Sequence, residues 1–142
     1  MKVLGLDVGS KTIGVAVSDE LGIIAQGVTT LKRKGVNHDI TQLLKVIEEQ
    51  RAEKVVVGLP KNMNGSLGQS AKMVLTLLEE LEKSVDIPVI TWDERLSTVA
   101  AERALLEADM SRKKRKKVID KVAALIILQG YLDNQKRMKD LS

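Results

Sequence analysis

The sequence predicts an α/β fold with a five-stranded mixed sheet, in the order βββαβαβαα, and helices on both faces of the sheet. Three observations support this prediction. Three short apolar segments separated by tight turns open the chain, as in an antiparallel meander. Apolar strands then alternate with segments of helical periodicity, as in βα units with parallel strands. Two further helical segments close the chain.

Turn residues bound each strand of the meander. The three strands are Val3–Val8, which ends at Gly9-Ser10, Ile13–Val17, which ends at the turn Asp19–Gly22, and Ile23–Thr30. Because each connection is only a few residues long, neighbouring strands of the meander must run antiparallel.

The middle of the chain alternates helix and strand. Its predicted elements are a helix over Val36–Arg51, a strand over Lys54–Leu59, a helix over Gln69–Lys83 and a strand over Ile87–Trp92. The run Val55-Val56-Val57 is typical of a strand that is buried on both faces.

Two helices are predicted after the last strand. Ser97 can cap a helix that runs to about Asp109, and a longer helix follows over Lys117–Gln135. The chain of 142 residues is long enough for one domain, residues 1–142, with a single hydrophobic core.

The composition excludes several classes of function. The chain has no Cys, which excludes thiol catalysis, disulfides and cysteine-based zinc sites and predicts a reducing, cytoplasmic location. The longest apolar run, Val122–Leu128, is far shorter than the roughly 20 residues of a membrane span, so no membrane partner is expected. With no Phe, one Trp and one Tyr, a platform for base stacking is excluded, and any nucleic acid must be held by its backbone.

The positive charge is local. Residues 102–142 hold 11 of the 23 basic residues but only 6 of the 19 acidic ones. Six basic residues are consecutive: Arg112, Lys113, Lys114, Arg115, Lys116 and Lys117. Such a run suits contact with phosphates, although a solvated loop explains it equally well.

Three carboxylates form the candidate site. Strand alternation puts Asp7 on one face with Val3 and Gly5, inside a central strand, where a carboxylate must be protonated, paired or bound to a cation. Asp93 and Glu94 follow the fifth strand, at the edge where open α/β sheets build their sites.

The third acid, Asp120, shares a helix face with small and apolar residues, namely Ala123, Ala124, Ile127 and Tyr131. The two alanines let the helix approach the sheet and bring Asp120 toward Asp7. Convergent carboxylates repel one another unless divalent cations lie between them, and such cations activate water in phosphodiester hydrolysis. A helix cap, a turn or an ion pair is the alternative interpretation of each acid; it is preferred for Asp93, whereas a functional role is preferred for Asp7, which lies within a strand.

Four segments resemble the YqgF family, also called the RuvX family. They are Val3–Asp19, Gly58-Leu59-Pro60 with Met63–Ser66, Asp93–Thr98, and Val118–Ala124 continuing through Ile127–Leu132. The resemblance extends over the whole chain. Two positions depart from the pattern: Thr12 stands where the family usually has Arg, and Gly58-Leu59-Pro60 stands where relatives such as RuvC have an acid.

The resemblance implies a ribonuclease H-like fold and a bacterial nuclease that acts in the maturation of pre-16S rRNA, in ribosome biogenesis. By motif, Asp7, Glu94 and Asp120 match the family's metal-binding acids, so Mg²⁺ or Mn²⁺ is the expected cofactor and structured precursor rRNA the expected partner. The expected contacts to nucleic acid are Lys11, Arg95 and the run Arg112–Lys117.

Several alternatives stay open. A Holliday junction resolvase acting on DNA would use the same acids, and a non-catalytic RNA-binding assembly factor would keep the fold. Actin-like ATPases and sugar kinases have a similar first phosphate loop but need two such domains. The sequence also leaves open a homodimer and the choice between Asp93 and Glu94.

Overall fold

The computed structural model describes residues 1–61, 64–94 and 112–141, except for the side chains of residues 112–121. The strands are β1 (Val3–Val8), β2 (Thr12–Ser18), β3 (Ala25–Lys32), β4 (Lys54–Leu59) and β5 (Val89–Asp93). The helices are α1 (Val36–Gln50), α2 (Gln69–Ser84) and α3 (Arg112–Leu141). The helix predicted from Ser97 to Asp109 lies outside the described residues.

The five strands form one mixed sheet in the order β3-β2-β1-β4-β5. β2 is antiparallel to both β1 and β3, whereas β4 is parallel to both β1 and β5. β1, β3, β4 and β5 therefore run in one direction, and their C-terminal ends lie at the same edge of the sheet, which we call the carboxyl edge. The predicted mixed sheet is confirmed.

Helices cover both faces of the sheet, as predicted. One face of β1, formed by Leu4, Leu6 and Val8, packs in a core with residues of α1 and α2. The other face packs against α3, in a second core that includes Val3 of β1 and Val56 of β4. In the part of the chain that the structure describes, the helices are too short or too polar to cross a bilayer.

Glycine at position 5 lets α3 lie directly on β1. A Cβ atom at Gly5 would stand 2.7 Å from Cβ of Leu128 and 3.3 Å from the carbonyl oxygen of Ala124. Real Cβ atoms do not approach another carbon to 2.7 Å, so a side chain here would push the helix away from the strand. The close contact thus depends on the absence of a side chain at Gly5.

Some predicted bounds were wrong for local reasons. β3 begins at Ala25 rather than Ile23, because Ile23 donates its backbone N–H to Asp19 Oδ1 at 2.8 Å and belongs to the turn. The described part of α3 covers Arg112–Leu141 and so includes the basic run, which is helical and not a loop. Lys and Arg have high helix propensity, which favours this extension.

Candidate active site

Asp7 is the penultimate residue of β1 and is 8% exposed. It pairs with Gly14 of β2, and strand alternation puts it on the face that α3 covers, together with Val3 and Gly5. The prediction that Asp7 is buried inside a central strand is confirmed. A carboxylate in this position requires compensation of its charge.

Glu94 directly follows β5 and reaches the same face of the sheet. Its Oε1 lies 3.0 Å from the place where a Cβ atom of Gly58 would stand. The same Cβ atom would lie 2.5 Å from Cδ1 of Ile127, a residue of α3, so this is the face that α3 covers. The Glu94 carboxylate therefore occupies space that Gly58 leaves open above β4.

Gly58 is also the neighbour of Asp7. Leu6 pairs with Val57, so Asp7 and Gly58 are the next residues along two adjacent parallel strands. Adjacent strands are about 4.8 Å apart. The order of the sheet puts β4 between β1 and β5, and the missing side chain at Gly58 lets Glu94 extend across β4 toward Asp7.

Asp93 has a different environment from Glu94. Strand alternation separates it from Ile90 and Trp92, which pack in the core on the α3 side. Its Oδ2 lies 3.9 Å from Nζ of Lys61. The two neighbouring acids thus face different groups, and only Glu94 shares the face of Asp7.

The third predicted acid, Asp120, lies in α3, and its side chain is outside the described residues. The direction of the helix can be read from two contacts. Tyr131 accepts a 2.9 Å hydrogen bond from Nζ of Lys54 at the start of β4, whereas Ile127 packs at Gly58 near its end. α3 therefore runs antiparallel to β4, and its N-terminal part, with residue 120, lies toward the carboxyl edge.

The other predicted contacts to nucleic acid fall in three places. Lys11 is exposed in the turn between β1 and β2, at the carboxyl edge. Residues Arg112–Lys117 belong to α3. Arg95 lies outside the described residues.

Arg33 and Asp39 form an ion pair next to the site that no pattern in the sequence indicated. Arg33 Nε lies 2.9 Å from Oδ2 of Asp39, and the side chains are 11% and 1% exposed. Arg33 Nη1 also donates to the carbonyl oxygen of Gly9 at 3.0 Å, and its backbone N–H donates to that of Lys11 at 2.8 Å. This buried ion pair ties the turn after Asp7 to the first turn of α1. Nothing in the spacing of the two residues indicates a contact with Gly9.

A divalent cation fits the two described acids. Hard cations prefer carboxylate oxygens, and Asp7 and Glu94 provide them from one face of one sheet. Among the side chains that the structure describes, no group of three acids or histidines forms a metal site. The side chain of Asp120 is not part of that set.

The architecture resembles that of RuvC. The solved structure described as "T. thermophilus RuvC in complex with Holliday junction substrate" superimposes with a TM-score of 0.61 over 96% of each chain, at 18% identity. The fold is therefore ribonuclease H-like, the fold of a class of nucleases that generally use divalent metal ions.

The chain belongs to the RuvX family, whose model, described as "Holliday junction resolvase", matches residues 1–134. A protein of Clostridium perfringens named "Putative pre-16S rRNA nuclease" is 60% identical over 94% of this chain and 97% of its own length. A relative with the same name in Desulforamulus reducens is 54% identical over 94% of this chain and 98% of its own. The protein is thus a nuclease that hydrolyses phosphodiester bonds, and nucleic acid is its partner.

Gly58→Ala tests whether open space at Gly58 positions Glu94. We expect at least a tenfold loss of cleavage, since the methyl group would displace the Glu94 carboxylate, and a loss of about 1–3 kcal/mol in the free energy of unfolding from overpacking against Ile127. Urea unfolding and single-turnover cleavage measure the two effects.

Gly5→Ala is the matched control, because it overpacks the same helix at Leu128 and its added Cβ meets no carboxylate. Its stability should fall at least as much, because the added Cβ meets Cβ of Leu128 and the backbone oxygen of Ala124 and not the end of a flexible side chain, while more of its activity remains. Equal losses of activity in the two variants would show that helix displacement, and not Glu94, accounts for the effect.

Proposed function

We propose that the protein is a Mg²⁺- or Mn²⁺-dependent nuclease that processes precursor 16S rRNA, with Asp7, Glu94 and Asp120 as its metal-binding, catalytic acids. The observation that carries the proposal is the Glu94 carboxylate lying over Gly58, on the face and next to the strand of the buried Asp7. The direction of α3 supports the inclusion of Asp120. We also propose that residues 1–142 form a single nuclease domain.

The chain's own residues divide the work in this proposal. Asp7 presents its oxygens from a rigid central strand, and Glu94 reaches the same place from the end of β5 with a longer side chain. Their mutual repulsion favours a bound cation over a metal-free site. When bound, divalent cations activate water and stabilise charge on the leaving oxygen.

The names of the relatives support precursor rRNA as the substrate, and the family description supports a DNA junction as the alternative. A precursor substrate implies a cytoplasmic role in ribosome biogenesis. The test is incubation of the pure protein with precursor 16S rRNA and with a four-way DNA junction, each in Mn²⁺ or in EDTA.

We expect EDTA-sensitive cleavage of the RNA and little cleavage of the junction. Cleavage of the junction alone would identify a resolvase. Binding of the RNA without cleavage in any metal would identify an assembly factor. A homodimer is part of the proposal, and sedimentation of the purified protein tests it.

The basic run is proposed to draw the phosphate backbone toward the acids. The six basic residues are consecutive in α3, in the part of the helix that lies toward the carboxyl edge, and a phosphate backbone would compensate their charge. Replacing Arg112–Lys117 by Gln should weaken RNA binding and flatten its salt dependence, by about 0.7 in log–log slope for each lost contact to single-stranded RNA. Filter binding across a salt series measures the slope.

The control neutralises the cations at the opposite end of the same helix. It carries Gln at Lys136, Arg137 and Lys139. For each charge removed, this control variant should change the salt-dependence slope much less than the variant of Arg112–Lys117 does. An equal change would mean that the run contributes only net charge.

A further inference from the structure

The last residue of β3, Lys32, lies on the same face of the sheet as Asp7. Asp7 pairs with Gly14, and Gly14 pairs with Thr30, so these three residues point to one face. Lys32 stands two residues after Thr30 and therefore points to that face as well. Its side chain is exposed at the carboxyl edge.

Lys32 is close enough to Asp7 to contact the same nucleic-acid strand. Two strand spacings and two residues of rise separate their backbone positions, a distance of about 12 Å. A strand rising about 3.4 Å per nucleotide covers this distance in three to four nucleotides. Glu94 approaches Asp7 from the β5 side of the sheet, whereas Lys32 lies on the β3 side.

The buried ion pair gives Lys32 and Lys34 a defined backbone. Arg33, the residue between them, points to the opposite face and meets Asp39 of α1 at 2.9 Å. The second oxygen of Asp39 accepts the backbone N–H of Lys34 at 3.1 Å. Asp39 thus contacts the side chain of Arg33 and the backbone N–H of Lys34. These two contacts fix the backbone of residues 32–34 and keep the side chain of Lys32 on the face of Asp7.

The charges of the two lysines are not compensated locally. Among the described side chains, none of the acids lies within 4.0 Å of Lys32 or Lys34 in an ion pair. At the opposite edge of the sheet, an open groove is lined by three acids, Glu20, Glu49 and Glu53, and by two cations, Lys2 and Arg51, so its charges largely offset one another. The two exposed lysines therefore favour contact with a polyanion at the β3 end of the carboxyl edge.

We propose that Lys32 and Lys34 form a second contact surface for the phosphodiester backbone, on the β3 side of Asp7. The inference rests on the proposed function in one respect, namely that the substrate strand passes over Asp7. It adds that the strand continues three to four nucleotides toward β3. The substrate class is thus a nucleic acid that extends past the cleavage site on this side.

The test compares two double variants with equal loss of charge. Lys32→Gln/Lys34→Gln removes the proposed contacts, and Lys45→Gln/Lys72→Gln removes two exposed lysines of α1 and α2. Binding of precursor 16S rRNA is measured in EDTA across a salt series, so that no cleavage occurs. For the first variant we expect a log–log slope lower by about 1.4 to 1.8, and for the second a slope close to that of the unmodified protein.

The outcomes separate this inference from the proposed function. Equal slopes for the two variants would overturn the inference while cleavage in Mn²⁺ could still support the function. RNA binding without cleavage would overturn the function, and the difference in slope would still decide the inference. A protein that binds no RNA at all would overturn both. Circular dichroism of the variants checks that these exposed substitutions leave the fold intact.

Discussion

Asp7→Asn is expected to abolish metal-dependent cleavage, by at least about a hundredfold, while the protein stays folded. Loss of a group that only supports a metal ligand costs 10- to 100-fold, and a direct ligand should cost at least as much. Asn has nearly the same shape as Asp but no charge, and Asp7 is 8% exposed. Removing a buried charge should leave the metal-free protein as stable as before or more stable.

Thermal melts with and without Mn²⁺ check both parts of this expectation. A cation that binds only the folded state raises the melting temperature, so Mn²⁺ should stabilise the unmodified protein and not the variant. Asp86→Asn, at an exposed turn, is the matched control and should behave as the unmodified protein does. Undiminished cleavage by folded Asp7→Asn would remove Asp7 from the site.

Glu94→Gln should remove most of the cleavage and weaken Mn²⁺ binding, whereas Asp93→Asn should cost little activity. The reason is the different position of the two side chains. Glu94 Oε1 lies over Gly58, beside the strand of Asp7, while Asp93 lies 3.9 Å from Lys61. Loss of a charged oxygen ligand weakens the binding of a hard cation.

Both variants are titrated with Mn²⁺ while folding is followed by circular dichroism. Lys61→Gln is a useful third variant, because it removes one ion-pair partner of Asp93 without altering either acid. It should resemble Asp93→Asn in activity. If Asp93→Asn loses metal and activity with its fold intact while Glu94→Gln keeps both, the second catalytic acid is Asp93.

The periodicity of side chains was sufficient to predict the class of fold and the burial of Asp7. Strand β4 was predicted with its observed bounds, because a β-branched run between turn residues is a local signal. Strand ends that depend on hydrogen bonds to side chains were not predicted correctly. An example is the start of β3, which is set by the hydrogen bond from Ile23 to the side chain of Asp19. The assignment of Asp7, Glu94 and Asp120 to catalysis stays a prediction.

Gly58 shows what the sequence could not indicate. In the sequence it belongs to a segment that resembles the YqgF family and that stands where relatives such as RuvC have an acid, and neither observation indicates a role for the glycine itself. In the structure it is the open space above β4 that the Glu94 carboxylate occupies next to the strand of Asp7. A missing side chain has no periodicity, so its role appears only when the neighbouring strands are in place.

The sequence by itself determined the elements, the alternation of faces along each strand and the residues available for chemistry, because these follow from the repeats of 2 and 3.6 residues within short segments. Only the tertiary structure decided which of these residues meet. The strand order put Gly58 between Asp7 and Glu94, and helix packing joined Arg33 to Asp39 and Gly9. Such contacts depend on strand pairing and close packing between distant segments, for which no local pattern of residues is required.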